Sequence, residues 1–331
     1  MIRIGIIGLG WWGKQIVTCL KESSRFKVVA GCDIDTAMAA PFADAHKFEL
    51  TADYKTLIGR NDLDAVAVVT PHLLHEEMAV AAFAAGKQVF CEKPLALNAA
   101  SAERILEACA KAGGVLGIGH ERRYEPALEE MRRLFESGEL GRVLHMDSNV
   151  SHSNFRNMDP SNWRRDRRHA PAGAWTALGI HLGDMFVSLA GEPTRVTART
   201  ASQIFPTPFE DFVGADIDFA NGAIGRITCL STPPFYGRFT LMCDRGWIEV
   251  QEGGNVDKGL PSSFVHCRPD GSREVKSYAP VNTVRMNFEA WAEALEGRAP
   301  YRFTTAQLRA NIKIFDAVTR SAAEGGAPIA L

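Results

Sequence analysis

The sequence predicts an α/β protein in two parts: an N-terminal doubly wound parallel sheet, then a domain built on an antiparallel or mixed sheet with flanking helices. Three observations predict it. Short apolar runs alternate with helical stretches up to about residue 122, hairpin signals replace that rhythm from about residue 123, and 331 residues suit two domains. The predicted division is therefore 1–122 and 123–331.

In the first part, IRIGII, KVVAGC, AVAVVT, KQVFCE and GVLGIG read as buried strands, being short, rich in Val and Ile and followed by glycine or a turn. Between them Lys14–Glu22, Ala37–His46, His75–Ala85 and Ala99–Ala112 read as helices. In the second part Asn221-Gly222, Asp244-Arg245-Gly246 and Asp270-Gly271 mark hairpins. Polar and apolar residues alternate over Asp216–Phe219, as in a sheet with two different faces. A last helix is predicted near Thr305–Glu324, able to pack on either domain.

Composition narrows the function. A formal net charge of −2 gives no global field for nucleic acid or an anionic membrane. No apolar run approaches the ~20 residues needed to cross a bilayer. The N-terminus MIRIGIIGLG reads as a buried strand, since it lacks a basic n-region and a small-residue cleavage site. Seven scattered cysteines without a CxxC pair read as free thiols in a reducing compartment. A cytoplasmic protein acting on a small molecule, with neither nucleic-acid nor membrane partner, is expected.

Gly8, Gly10 and Gly13 in GLGWWG follow a strand and open a helix, and Asp33 ends the next strand, 20 positions after Gly13. That context is the dinucleotide fingerprint. Gly8 permits the tight turn, Gly10 admits the pyrophosphate, and Gly13 lets helix and sheet approach. Asp33 is suited to accept hydrogen bonds from ribose hydroxyls and to repel a 2′-phosphate. No Arg or Lys follows it in CDIDTAM, so NAD is expected, with NADP as the alternative. Of the two tryptophans, Trp11 is the candidate wall of the nicotinamide or substrate pocket and Trp12 the one that packs.

In VFCEKPLA, Glu92, Lys93 and Pro94 follow a buried strand, where open α/β sheets place their ligands. A lysine works as a general base only if burial or nearby positive charge lowers its pKa, and an oxidised nicotinamide supplies such a charge. The plain alternative is a surface cation paired with Glu92.

The set GLGWWG, CDID, VVTPHLLH, EKPLA, GHERRYEP, NWRRD and GAWTALGIHLGD, in this order, resembles the glucose-fructose oxidoreductase/inositol dehydrogenase (Gfo/Idh/MocA) family along essentially the full length. The resemblance implies an N-terminal Rossmann domain and a C-terminal α+β domain whose large open, mostly antiparallel sheet forms a homodimer or homotetramer interface. It implies Lys93 as catalytic lysine, with Thr70, Pro71, His75 and Glu92 shaping the cofactor side and Arg123 and Tyr124 at the domain junction. His181 matches the catalytic histidine, but the family's aspartate four residues before it is replaced by Ala177, and Thr176 is at best a weak substitute.

The extra arginines in NWRRDRRHAPAGA offer a grip for a carboxylate, or simply a solvated loop; Trp163, Arg164 and Asp166 match the family pattern. Asp184, three residues after His181, is read either as orienting the imidazole or as a solvated or interfacial charge. His120 is a candidate pocket residue. No metal is expected, since His72 and His75 lack helical i, i+4 spacing.

The expected activity is hydride transfer between nicotinamide and a secondary alcohol of a sugar, cyclic polyol or dihydrodiol, with or without a carboxylate. Lys93 acts as acid/base and His181 binds the reacting hydroxyl, the two meeting at one cleft. A NAD-dependent glycosidase or lyase, using transient oxidation and elimination, and a non-catalytic dinucleotide-binding regulator are the alternatives.

Overall fold

A computed structural model describes residues 1–159, 161–205 and 209–331. The chain forms two compact units, one of residues 1–121 with 284–305, the other of residues 122–283 with 306–331.

The first unit is built on six parallel strands: β1 Ile2–Ile7, β2 Phe26–Cys32, β3 Glu49–Thr51, β4 Ala65–Val68, β5 Gln88–Cys91 and β6 Gly117–Ile118. Their order is β3-β2-β1-β4-β5-β6, so the direction of winding reverses between β1 and β4. All four residues of β4 are buried, as expected of a strand covered on both faces. Helices Thr36–His46, His75–Ala84 and Ala99–Lys111 fall where the apolar patterning predicts them. The short strand β3 and helix Tyr54–Ile58 are additional. Asp53 caps that helix by accepting from the backbone N–H groups of Lys55 and Thr56.

A later segment completes this unit. The helix Thr283–Leu295 belongs by chain order to the second half, yet Phe288, Trp291 and Ala292 sit in the core beneath β1, β4 and β5. Phe288 stacks on Phe90 at 3.9 Å and Trp291 on Phe26 at 5.9 Å. The physical reason lies at β6, a two-residue strand paired with β5 alone. Asn287 Nδ2 donates to the Ile118 carbonyl at 2.7 Å and Trp291 Nε1 to that of Val115 at 2.8 Å. Side chains thus satisfy backbone that an unpaired edge would leave exposed.

The second unit carries nine strands: β7 Val143–Ser151, β8 Pro193–Ala201, β9 Phe212–Phe219, β10 Ile224–Leu230, β11 Tyr236–Cys243, β12 Gly246–Glu252, β13 Ser262–Cys267, β14 Arg273–Tyr278 and β15 Ile329–Ala330. Their order is β14-β13-β12-β11-β7-β10-β9-β8-β15, and β7–β10 is the one parallel pair in an otherwise antiparallel sheet. The hairpins fall at the expected Asn221-Gly222, Asp244–Gly246 and Asp270-Gly271 turns. One face packs Met146, Val150, Ile217, Ile227, Leu241 and Val250. The opposite face is lined by ion pairs Arg226–Asp216, Arg195–Asp218 and Arg238–Asp147, with Leu144, Ile224, Tyr236 and Met242 exposed among them. The final helix, Thr305–Ala323, packs in this unit through Leu308, Ile312, Phe315 and Val318.

Candidate active site

The glycine turn follows β1 directly. Gly8 has φ +98° and lies against the backbone after β4; a Cβ there would come within 2.7 Å of the Val69 carbonyl oxygen. A Cβ on Gly13 would overlap the Gly8 carbonyl oxygen and approach its carbon to 3.0 Å. Both positions therefore exclude any side chain. The helix begins at Trp11, three residues before the predicted Lys14, because Gly10 itself is the N-cap; no side chain caps that end. Its first N–H groups and the positive end of its dipole are left for an anion, and nothing lies within 4 Å of where a Gly10 Cβ would be. Trp11 is 56% exposed, while Trp12 packs against the core and its ring lies 5.3 Å from that of Trp11.

Asp33 is tied to the same turn. Its carboxylate accepts from the Leu9 N–H at 2.7 Å and the Asp35 N–H at 3.0 Å. Two carboxylate oxygens offer about four acceptor sites, so capacity remains for ribose hydroxyls. Ile34, next in sequence, is 94% exposed. Sequence patterning gives no sign of this exposed apolar side chain, since Ile34 follows the strand end and belongs to no periodic run. The residues present fit a dinucleotide: uncapped N–H groups, a turn closed to a Cβ at Gly8 and Gly13 and open at Gly10, and a carboxylate at the end of β2.

The ends of β4 and β5 complete this edge of the first unit. His75 is fully buried and opens the helix His75–Ala84. Its Nδ1 lies 2.8 Å from the Pro94 carbonyl oxygen and its Nε2 3.0 Å from that of Thr70. Burial pushes its pKa down, against the three backbone carbonyls of Pro94, Thr70 and Leu95. The imidazole thus lies between the Thr70-Pro71 turn and the Lys93-Pro94 turn, whose peptide bond is cis, and in its neutral form donates to one of the two carbonyls.

Glu92 is buried, and its Oε2 accepts the Lys93 backbone N–H at 3.2 Å. Burial, then the neighbouring Glu121 carboxyl, pushes its pKa up to about 8; the Trp12 indole and the Lys93 charge oppose the rise. At neutral pH the group beside Lys93 is therefore mostly a carboxylic acid, not a counter-ion. Lys93 itself is half-buried, and His120 and Glu121 are buried at the end of β6.

In the second unit, the segment before His181 departs from regular geometry three times in succession. Ala172 has φ +55°, Gly173 has φ +37°, and Trp175–Gly179 forms a π-helical turn. Left-handed backbone at a non-glycine residue and π-turns both gather at functional sites. His181 follows in the helix Ile180–Ala190, with 6% exposure. Thr176 is buried and donates its hydroxyl to the Pro171 carbonyl. Ala177 packs against the cluster of Phe155, Phe205 and Phe209.

Asp184, one of whose two sequence readings was a partner for His181, instead chelates Arg123. Nε and Nη2 each donate to a carboxylate oxygen at 2.6 Å, while Nη1 donates to Gln307 at 3.0 Å. Arg123 is thus an internal brace, and Tyr124 beside it is buried as well.

The arginine-rich loop separates into different roles. Arg167 pairs with Glu210 at 2.5 Å and Arg168 with Asp166 at 2.5 Å. Arg165 donates to the Phe155 carbonyl at 3.2 Å and lies over the Phe205 ring. The Arg164 guanidinium lies 4.2 Å from the centre of the Trp163 ring, and its pKa is lowered by desolvation alone. Among the described residues, no group of three or more His, Cys, Asp or Glu side chains could hold a metal ion, and no helix is long and apolar enough to cross a membrane.

A parallel sheet with this winding order and a glycine turn at its reversal point define a nucleotide-binding α/β class. Residues 2–120 match the model of an oxidoreductase family with an NAD-binding Rossmann fold, and residues 128–249 match the GFO/IDH/MocA C-terminal domain. The chain belongs to the Gfo/Idh/MocA family of oxidoreductases, and its first unit is that family's NAD-binding domain.

Among its relatives, an uncharacterized oxidoreductase of Bacillus subtilis (strain 168) is 31% identical over 68% of this chain, which spans 66% of that protein's length. Inositol 2-dehydrogenase 1 of Saccharopolyspora erythraea is 29% identical over 88% of this chain and 86% of its own. The structure of a levoglucosan dehydrogenase in complex with NADH and levoglucosan superposes with a TM-score of 0.85 at 22% identity, covering 99% of each chain. That last likeness is one of fold.

Proposed function

We propose that this chain is a NAD-dependent dehydrogenase of a secondary alcohol in a sugar or cyclic polyol. One observation carries the reading: Lys93 stands at the carboxyl end of β5, one strand from β4, at the same edge of the parallel sheet as the glycine turn after β1. Ligands of open α/β sheets bind at that edge, where winding reverses. The related inositol dehydrogenase is named for the same substrate class.

In this reading the Gly8–Gly13 turn and the uncapped N–H groups after Gly10 hold the pyrophosphate, and Asp33 holds the adenosine ribose. The Asp33 carboxylate disfavours a 2′-phosphate, so NAD is preferred to NADP. Ile34 offers its exposed face to the adenine, and Trp11 covers the turn. When bound, NAD supplies the acceptor for the substrate's hydride. Lys93 takes the hydroxyl proton, and the neutral Glu92 beside it does not hold a proton on the amine by charge attraction. His181 binds the same hydroxyl, with Trp163 and Arg164 on the substrate side. The ion-paired, partly apolar face of the second sheet is the proposed contact between copies in a homodimer or homotetramer.

The test is Lys93→Ala. NADH formation on a panel of polyols, aldoses and dihydrodiols falls at least 10²-fold, the scale of acid–base catalysis, while NAD binding persists. Full activity in the variant, or release of a leaving group without net NADH, refutes the reading.

A further inference from the structure

We infer that Arg164 is a carboxylate anchor, and that the substrate is an anionic sugar derivative such as a uronate. The inference rests on the dehydrogenase reading only for the word substrate; the anchor itself stands on the second unit's own residues. Four arginines crowd residues 164–168. Two of them are neutralised within the fold, Arg167 by Glu210 and Arg168 by Asp166. Arg165 gives its Nη2 to a backbone carbonyl and its face to Phe205.

Arg164 differs from all three. Its guanidinium is stacked on Trp163 and partly stripped of water, and among the described residues no carboxylate lies within ion-pair distance of it. A desolvated cation without a counter-ion is costly, and stacking on one indole offsets only part of the loss. Its side-chain N–H donors remain available in a fixed fork, the geometry that takes a carboxylate bidentately.

The ligand's charge follows from the neighbours. A phosphate monoester carries nearly two charges at neutral pH and calls for more than one available cation or a helix N-terminus. Here Arg167 and Arg168 are already paired, Arg165 is turned to the Phe155 carbonyl and the Phe205 ring, and Arg164 sits in a short turn, Trp163–Arg165. One flat cation with one face covered suits a single carboxylate. Asn162 holds the turn in place by accepting the Arg164 backbone N–H at 3.0 Å.

The test measures equilibrium binding, by calorimetry in the presence of NADH, of D-glucuronate, D-galacturonate and D-mannuronate against the parent aldoses and glucose 6-phosphate. At least one uronate is expected to bind about 10- to 100-fold more tightly than its neutral parent, the scale of a charge-assisted bidentate pair. Arg164→Met collapses that ratio to about one, Arg164→Lys keeps part of it, and Arg168→Met leaves it intact. Thermal melts of each variant separate loss of the anchor from loss of the fold, and the Lys variant carries the test if the Met variant does not fold.

Uronates binding no better than aldoses, a preference that survives Arg164→Met, or an Arg164-dependent preference for the sugar phosphate would each overturn the inference. Arg164-dependent uronate binding without NADH formation from any of these sugars supports the anchor and overturns the dehydrogenase reading instead.

Discussion

Replacing Glu92 by Gln tests the electrostatics beside Lys93. The buried carboxyl keeps its proton to about pH 8, whereas in the unfolded chain it ionises around 4.5. Between those values the folded protein binds more protons than the unfolded one, so rising pH destabilises the fold through this group. The penalty is absent below about pH 4.5, grows through neutrality and is complete above about 8. At about 1.4 kcal/mol per tenfold change, the full gap corresponds to at most about 5 kcal/mol. Gln keeps an acceptor for the Lys93 N–H and cannot ionise. Urea titrations followed by tryptophan fluorescence, which reports on Trp12 and Trp291 in this unit, should therefore show the variant gaining up to about 5 kcal/mol on wild type between pH 5 and 8.5. A stability difference that stays flat within about 1 kcal/mol across that window refutes the assignment of a protonated Glu92.

Two further outcomes follow from particular contacts. Gly13→Ala forces a methyl onto the Gly8 carbonyl, backbone against backbone, at a cost of about 1–3 kcal/mol or more. NADH titration should show the dissociation constant raised about tenfold or more, and a value within threefold of wild type refutes the close approach. Asp184→Asn leaves the buried Arg123 without its charge partner, which costs about 3–5 kcal/mol. Chemical denaturation checks it; a loss under about 1 kcal/mol means the pair does not brace the second unit.

What could be read in the sequence was local. GLGWWG, Asp33 and the EKP turn each lie within a few residues of a strand end, so strand, turn and helix signals agree on their place. The error at the first helix is also local. With glycine at the N-cap there is no Ser, Thr, Asp or Asn to mark the start, and two tryptophans in a first turn resemble a loop. What could not be read are pairings across long stretches of chain. Arg123 and Asp184 are 61 residues apart, and each alone carries the signature of a site residue. Asn287 lies 169 residues from the strand it caps, so its helix follows the sheet it completes and not the half of the chain in which it occurs. The arginine cluster shows the limit most directly: periodicity sees four like charges, and only the fold separates the ion-paired Arg167 and Arg168 from Arg165 on Phe205 and Arg164 on Trp163.

The alanine at position 177 is best understood from what surrounds it. The family pattern puts a carboxylate there, four residues before the histidine. Here the side chain packs against Phe155, Phe205 and Phe209 with Met158 beside them, so a carboxylate would lose part of its hydration against that apolar cluster. Thr176 does not replace it, because its hydroxyl is already given to the Pro171 carbonyl. Position 177 thus sets a methyl group against apolar neighbours, and the buried carboxyls Glu92 and Glu121 lie in the first unit. Both are buried there, and desolvation, then the Glu121 carboxyl, pushes the Glu92 pKa up to about 8. The carboxyl next to Lys93 in the sequence thus turns anionic only as the solution becomes alkaline. That titration lies at the end of β5 and not at position 177.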